Sequence, residues 1–271
     1  MSSDLVVINK KTWEIVADDV SSWRTRKQDK AWRAIIEARN DQLNQPDFTC
    51  SNIEGIKEVI RSLDEKYCGY LLVLQCYADY KDKGGLLVKS SKSLKPMERK
   101  DIQKALGLKE RAFIDFFKAM TENQIILKTK NGFKINEKYH WKGNAKVKHF
   151  IKSYTKNLKD LYKSVNAKDL GFVYKLLPYV HYETNLLCHN PNEKEISLIE
   201  PFNKADLAKV TGISAKTAYN KLKRLKLDNM YVFAEVRKGN NKIFKINPFI
   251  FYRKNGKPDN SLMADFMLKS K

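Results

Sequence analysis

Apolar positions recur at helical spacing along much of the chain. Leu71, Leu72, Leu74 and Tyr77 fall on one side of a helix entered through the polar run Asp64-Glu65-Lys66. Val173, Leu176, Leu177 and Val180 repeat that arrangement; Pro178, which has no N–H to give a helix interior, is expected to bend or locally open it. Short helices are predicted from Asp101 to Leu106 and from Lys204 to Val210, ended by Gly107 and Gly212, residues that accept the left-handed backbone of a helix end. A further helix follows each glycine. The later one opens at Ser214, a good N-cap, and buries Ala218, Leu222 and Leu225. Two β-type segments, 230–236 and 242–246, then flank the turn-forming run Arg237-Lys-Gly-Asn-Asn241 and predict a hairpin.

These elements occur twice. Tyr70-Leu-Leu-Val-Leu74 matches the region of Tyr174, Pro96–Leu108 matches Pro201–Ile213, and Phe133-Lys-Ile-Asn136 matches Phe244-Lys-Ile-Asn247, at offsets of 104, 105 and 111. Such a period is too long for a solenoid and means two copies of one domain. The order helix, helix, Gly turn, helix, hairpin is that of a winged helix-turn-helix. The expected fold is therefore α+β and mainly helical: two tandem winged helices, 61–143 and 169–257, joined by a long helix over 144–168. In that joining segment Val147, Ile151, Tyr154, Leu158, Leu161 and Val165 alternate spacings of four and three, which fits either a homodimer seam or a helix packed across both domains. Residues 1–60 read as an appendage: a hairpin from Leu5–Ile8 and Trp13–Val16, a helix capped by Ser21 or Ser22 and carrying Trp23, Trp32, Ile35 and Ile36, and a capping-box pattern at Ser51-Asn-Ile-Glu54. Residues 258–271 form a tail.

Charge changes the picture most. Fifty-two Lys+Arg against 31 Asp+Glu give a net +21. Residues 1–60 hold 9 basic and 10 acidic side chains, 61–150 hold 20 and 10, and 151–271 hold 23 and 11, so the excess lies wholly in the repeated region. A field of that sign and placement calls for a polyanion, most often nucleic acid. No apolar run is long enough to span a membrane, and MSSDLVVINK lacks a basic segment followed by an apolar one; a cytoplasmic, bacterial-host location is expected. Cys50, Cys68, Cys76 and Cys188 form no C-x-x-C and read as reduced thiols.

No enzyme motif is complete in the sequence. Gly256-Lys257 is followed by Pro258 and has no phosphate-loop glycine upstream. His140, His149, His181 and His189 make no H-x-H pair, Tyr252-Arg253 lacks a suitable histidine context, and Cys188-His189 has no zinc-ligand company. No catalysis, cofactor or metal is expected. Instead the helix after Gly212 offers an outward polar face. Ser214, Lys216, Thr217, Asn220, Lys221, Lys223 and Arg224 are the expected DNA contacts, joined by the wing residues Arg237, Lys238, Asn240, Asn241 and Lys242. Thr217 and Asn220 suit base edges, and the cations suit phosphates. The first copy places Ala112, Asp115 and Phe116 where the second has Thr217, Asn220 and Lys221. It is expected to support, pair subunits or bind weakly, through Lys109, Arg111, Lys128, Lys130 and Lys134, with Phe116 and Phe117 forming either core or an apolar surface.

Three stretches of the second copy carry a resemblance: Gly171-Phe-Val-Tyr-Lys-Leu-Leu177, Ala205-Asp-Leu-Ala-Lys-Val-Thr-Gly-Ile-Ser-Ala-Lys-Thr217 and Phe244-Lys-Ile-Asn-Pro-Phe-Ile-Phe251. They resemble the RepL-type replication proteins of Firmicute plasmids and their phage relatives. The first copy echoes the ending in Phe133-Lys-Ile-Asn-Glu-Lys-Tyr-His-Trp-Lys-Gly143, with Glu137 in place of the proline. Two tandem winged helices also look like the architecture of iteron-binding plasmid initiators, an analogy of fold rather than of motif. The resemblance implies a sequence-specific binder of double-stranded DNA from a phage, prophage or plasmid, acting at a replication origin or operator. A transcriptional regulator and a protein-interaction scaffold are the alternatives. Self-association and host replication or transcription proteins are the further partners this reading allows.

Overall fold

The computed structural model of the chain describes residues 6–17, 25–43, 46–79, 85–90, 92–144, 147–238 and 241–267. Two units divide at Gln45 and Pro46. In the first, β1 (Val7–Ile8) and β2 (Ile15–Ala17) pair antiparallel around a turn, and α1 spans Arg26–Leu43. That hairpin is the one the sequence predicts. Ser21, Ser22 and Trp23 lie outside the described residues.

The second unit opens with β3 (Phe48–Asn52), α2 (Ile53–Ser62) and α3 (Glu65–Leu74), and continues with α4 (Arg99–Ala105), α5 (Glu110–Glu122), β4 (Ile126–Thr129), β5 (Gly132–Ile135) and β6 (His140–Trp141). The same order follows again: β7 (Phe150–Tyr154), α6 (Thr155–Ser164), α7 (Ala167–Leu176), α8 (Lys204–Thr211) and α9 (Ala215–Arg224). A small ladder of β8 (Lys226–Leu227) and β9 (Met230–Tyr231) comes next, then the hairpin β10 (Phe233–Lys238) and β11 (Asn241–Ile246), and finally β12 (Phe251–Tyr252). A 3-10 turn at Leu177–Tyr179 contains Pro178, but the equivalent turn at Gln75–Tyr77 has no proline, so the local opening belongs to the repeat rather than to that residue. The tail adds a 3-10 segment, Asn260–Asp265.

The repeat is thus longer than the sequence match. It begins at Phe48 and Phe150, and the first three elements of each half run at a constant spacing of 102. Gly69 therefore corresponds to Gly171, two residues off the register that Tyr70 and Tyr174 suggest. Leucine runs match almost as well in either register; the glycines do not.

One four-stranded sheet, ordered β12-β7-β3-β6, joins the halves through its middle. β3 and β7 run antiparallel with Cys50 opposite Lys152, and the outer strands attach at equivalent places, Trp141 against Cys50 and Tyr252 against Lys152. An approximate twofold axis passes between Cys50 and Lys152. Helices α3 and α7 cross about the same axis. A Cβ on Gly69 would strike the carbonyl of Ala167, and a Cβ on Gly171 the carbonyl of Glu65, so only glycine lets the two backbones approach so closely. Leu71, Leu72, Leu74, Phe172, Val173 and Leu176 are buried, and the apolar core runs through both halves.

Two expectations are corrected here. No single helix covers 144–168: Phe150–Tyr154 is a central strand and α6 starts only at Thr155. The seam spacing arose because a strand buried on both faces shows no alternation, so its apolar residues ran on into those of α6. Phe150, Ile151 and Tyr154 are the aromatic and β-branched residues that strands favour. The appendage also ends earlier than residue 60, since β3 and α2 belong to the second unit, with Asn52 capping α2 through the Glu54 N–H.

Candidate nucleic-acid interface

Asn203 opens α8 by accepting from the N–H groups of Ala205 at 2.7 Å and Asp206 at 3.1 Å, while Asp206 reaches back to the Asn203 N–H at 2.9 Å. Gly212 ends the helix in the left-handed region, φ +73°. Two residues on, Ser214 accepts from the Thr217 N–H at 3.1 Å and caps α9. Ala218, Leu222 and Leu225 are buried as the stripe predicts. Lys216, Thr217, Asn220 and Lys223 emerge on the opposite side, exposed, with no ion pair among the described residues. β10 and β11 pair from Phe233 with Ile246 to Lys238 with Asn241. Arg237 is exposed; Asn240 and the side chains of Lys238 and Asn241 lie outside the described residues.

Of the expected contacts, Lys221 is drawn inward and Arg224 is paired. Asp169, 6% exposed near the start of α7, receives Lys221 at 3.0 Å and both oxygens take Arg224 at 2.7 Å. Glu65, from α3 of the other half, takes Lys221 at 3.4 Å and Lys175 at 3.0 Å. Lys221 is largely buried and docks α9 onto the α3–α7 pair, whereas Arg224 pairs with Asp169 while its side chain stays 59% exposed. Lys242 is also engaged, with Glu235 at 2.6 Å. Partial burial works to raise the Glu235 carboxyl, but hydrogen bonds from Lys242 and Tyr219 outweigh it and hold it below the usual range. The same bonds keep the Lys242 ammonium above its ordinary value.

In the first half α5 uses apolar contacts instead. Phe116 and Phe117 are buried, which settles them as core. Phe116 stands where α9 has Lys221, and Tyr67 where α7 has Asp169; their rings meet edge to face at 5.8 Å. One docking contact is therefore ionic in one half and aromatic in the other. Lys109 caps α5 by position; Lys109, Arg111, Lys128 and Lys130 are exposed with no ion pair among the described residues, and Lys134 is half-buried. Ala112, Ile114 and Asp115 share the outward side with Arg111.

The residues weighed for catalysis are mostly internal. His140 is fully buried between Ser51 Oγ at 2.8 Å and Tyr174 Oη at 2.9 Å, and burial pushes its pKa down to about 3. His181 holds the 183–193 loop through Thr184 and the Glu193 carbonyl. Arg253 is buried against the Val180 and Pro191 carbonyls and Asn192, and burial brings it down to about 10. Burial lifts all four cysteine thiols to about 12, so they are unreactive at neutral pH. Among the described residues no group of His, Cys, Asp or Glu could hold a metal ion, and no helix is long and apolar enough to cross a membrane.

Sequence reasoning missed Glu65 and Asp169 as partners of the α9 cations, because both lie far away in the chain. It also missed Tyr219, whose hydroxyl donates to Glu235 at 2.6 Å and ties α9 to the hairpin. No family model, curated protein or solved structure matches the chain.

Proposed function

We propose that the chain is a sequence-specific double-stranded DNA-binding protein whose two halves are winged helix-turn-helix domains, with α9 as the helix that enters the major groove. One observation carries this reading: Lys216, Thr217, Asn220 and Lys223 stand exposed on one side of a helix that is capped at its start and anchored at its back. A helix laid in the major groove needs that division of labour. Asn220 can bridge adenine N6 and N7, while Lys216 and Lys223 can neutralise phosphates and release counterions. The surplus of +21 supports a large salt-dependent contribution to affinity. Lys221 serves this function by fixing α9 in place, and Arg224, paired with Asp169 but exposed, stays among the proposed DNA contacts.

The biological setting follows from the resemblance to RepL-type proteins: a phage, prophage or plasmid protein acting at an origin or operator, with control of transcription as the alternative role. Capture of genomic fragments by the full chain at physiological salt tests both levels. Enrichment of one origin or promoter sequence is expected. Recovery of random fragments would remove sequence specificity, and no recovery would remove DNA binding.

A further inference from the structure

Tyr219 lies on α9 beside Asn220, on the side that meets the β10–β11 hairpin. Three ammonium groups from three elements converge on its ring: Lys204 of α8 at 4.1 Å from the centroid, Lys223 of α9 at 4.9 Å and Lys242 of β11 at 5.5 Å. The ring is braced from within by the buried Phe244, edge to face at 6.1 Å. Its hydroxyl donates to Glu235 and accepts from Lys242 at 3.2 Å. Glu235 balances Lys242. Lys204 and Lys223 form no ion pair among the described residues and are exposed.

An aromatic face attracts a cation, but gathering three like charges around one ring works against folding unless an anion offsets them. Only one carboxylate is paired into this group among the described residues. Glu235 also lies within the field of Lys223, so a single carboxylate faces three ammonium groups, and the surplus favours an anion from outside.

We propose that Lys204, Lys223 and Lys242, set around Tyr219, form the seat for a backbone phosphate of bound DNA at the junction of α8, α9 and the hairpin. The proposal rests on the reading of α9 as the DNA-contacting helix and adds Lys204 and Tyr219 to it. Tyr219 is a positioning residue: its ring gathers the ammonium groups, and its hydroxyl keeps the hairpin in register with the helix. Backbone contacts carry no sequence information, so the seat contributes affinity and placement and leaves base preference to Asn220.

The test is binding of the full-length protein to a mixed-sequence duplex across a series of salt concentrations. Lys204→Ala with Lys223→Ala is compared with Lys156→Ala and Lys194→Ala, an equal charge change at exposed lysines outside the cluster. The first pair is expected to weaken binding about tenfold and to lower the slope of log K against log salt by about one, as for a lost phosphate contact. The second pair is expected to leave the slope at the wild-type value. Equal slopes for the two variants, with wild-type binding intact, would overturn the seat and leave the DNA-binding reading standing. Absence of wild-type binding would overturn both. Inorganic phosphate at constant ionic strength is expected to displace the duplex no better than chloride; stronger displacement would assign the seat to a free anion and overturn its assignment to the DNA backbone.

Discussion

At the residue scale the most consequential side chain away from the interface is His140. It links the halves, since Ser51 and His140 belong to the first and Tyr174 to the second. Ser51 Oγ donates to Gln75 at 3.0 Å and so accepts from Nδ1–H, leaving Nε2 to accept from the Tyr174 hydroxyl. Protonation would turn Nε2 into a donor and strand that hydroxyl hydrogen in the core. Burial lowers the folded-state pKa to about 3, below the unfolded value near 6.5, so between these limits the unfolded chain binds the extra proton. The stabilisation is complete above pH 6.5 and is lost as pH falls towards 3, at up to about 1.4 kcal/mol per pH unit. Urea titrations over that range are expected to show this slope, and His140→Gln to flatten it by about one proton. An unchanged slope in the variant would show that His140 is already charged in the folded state. Nothing in the local sequence announced this role: His140 reads as one of four scattered histidines until β6 brings it against Ser51 and Tyr174.

At the element scale, legibility followed local signals. Gly212, Ser214 and the Ala218, Leu222, Leu225 stripe write α8, the turn and α9 into short stretches of sequence, and the structure has all three. β3 left no such trace. Its Thr49 and Ser51 are fully buried yet polar, so neither alternation nor an apolar run marks a strand that forms the middle of the sheet. β7 failed for the opposite reason, its apolar residues extending the pattern of α6. The α3–α7 crossing was equally hidden, because Gly69 and Gly171 matter only once the helices touch. Gly171→Ala is expected to cost about 3 kcal/mol or more, as overpacking against a backbone carbonyl that cannot retreat. Gly256→Ala, at φ +74° with open space around the added carbon, is expected to cost about 1 kcal/mol from backbone strain alone. Comparable losses for the two in equilibrium unfolding would mean that the crossing is looser than the structure has it.

At the scale of the whole molecule, one sheet and one core make the two halves a single body from Pro46 onward, while their outer surfaces have diverged. The same position is Lys221 in α9 and Phe116 in α5, and the outward polar pair Thr217 and Asn220 becomes Ala112 and Asp115. A pseudo-symmetric frame thus carries two different outer faces, of which that of α9 is the one proposed to meet DNA. The charge arithmetic pointed to a polyanion from the outset, yet could not say which cations were already spent within the molecule. Asp169 and Glu65 answered that for Lys221. What remains is a narrow face centred on Asn220, and the account stands on it. The most direct measurement is affinity for the preferred duplex and for a scrambled one, in wild type, Asn220→Ala and Lys216→Ala. Lys216→Ala is expected to weaken both duplexes alike. Asn220→Ala is expected to lose about 1–3 kcal/mol on the preferred duplex alone. Equal affinity of all three proteins for both duplexes would contradict the assignment of α9 as the reading helix.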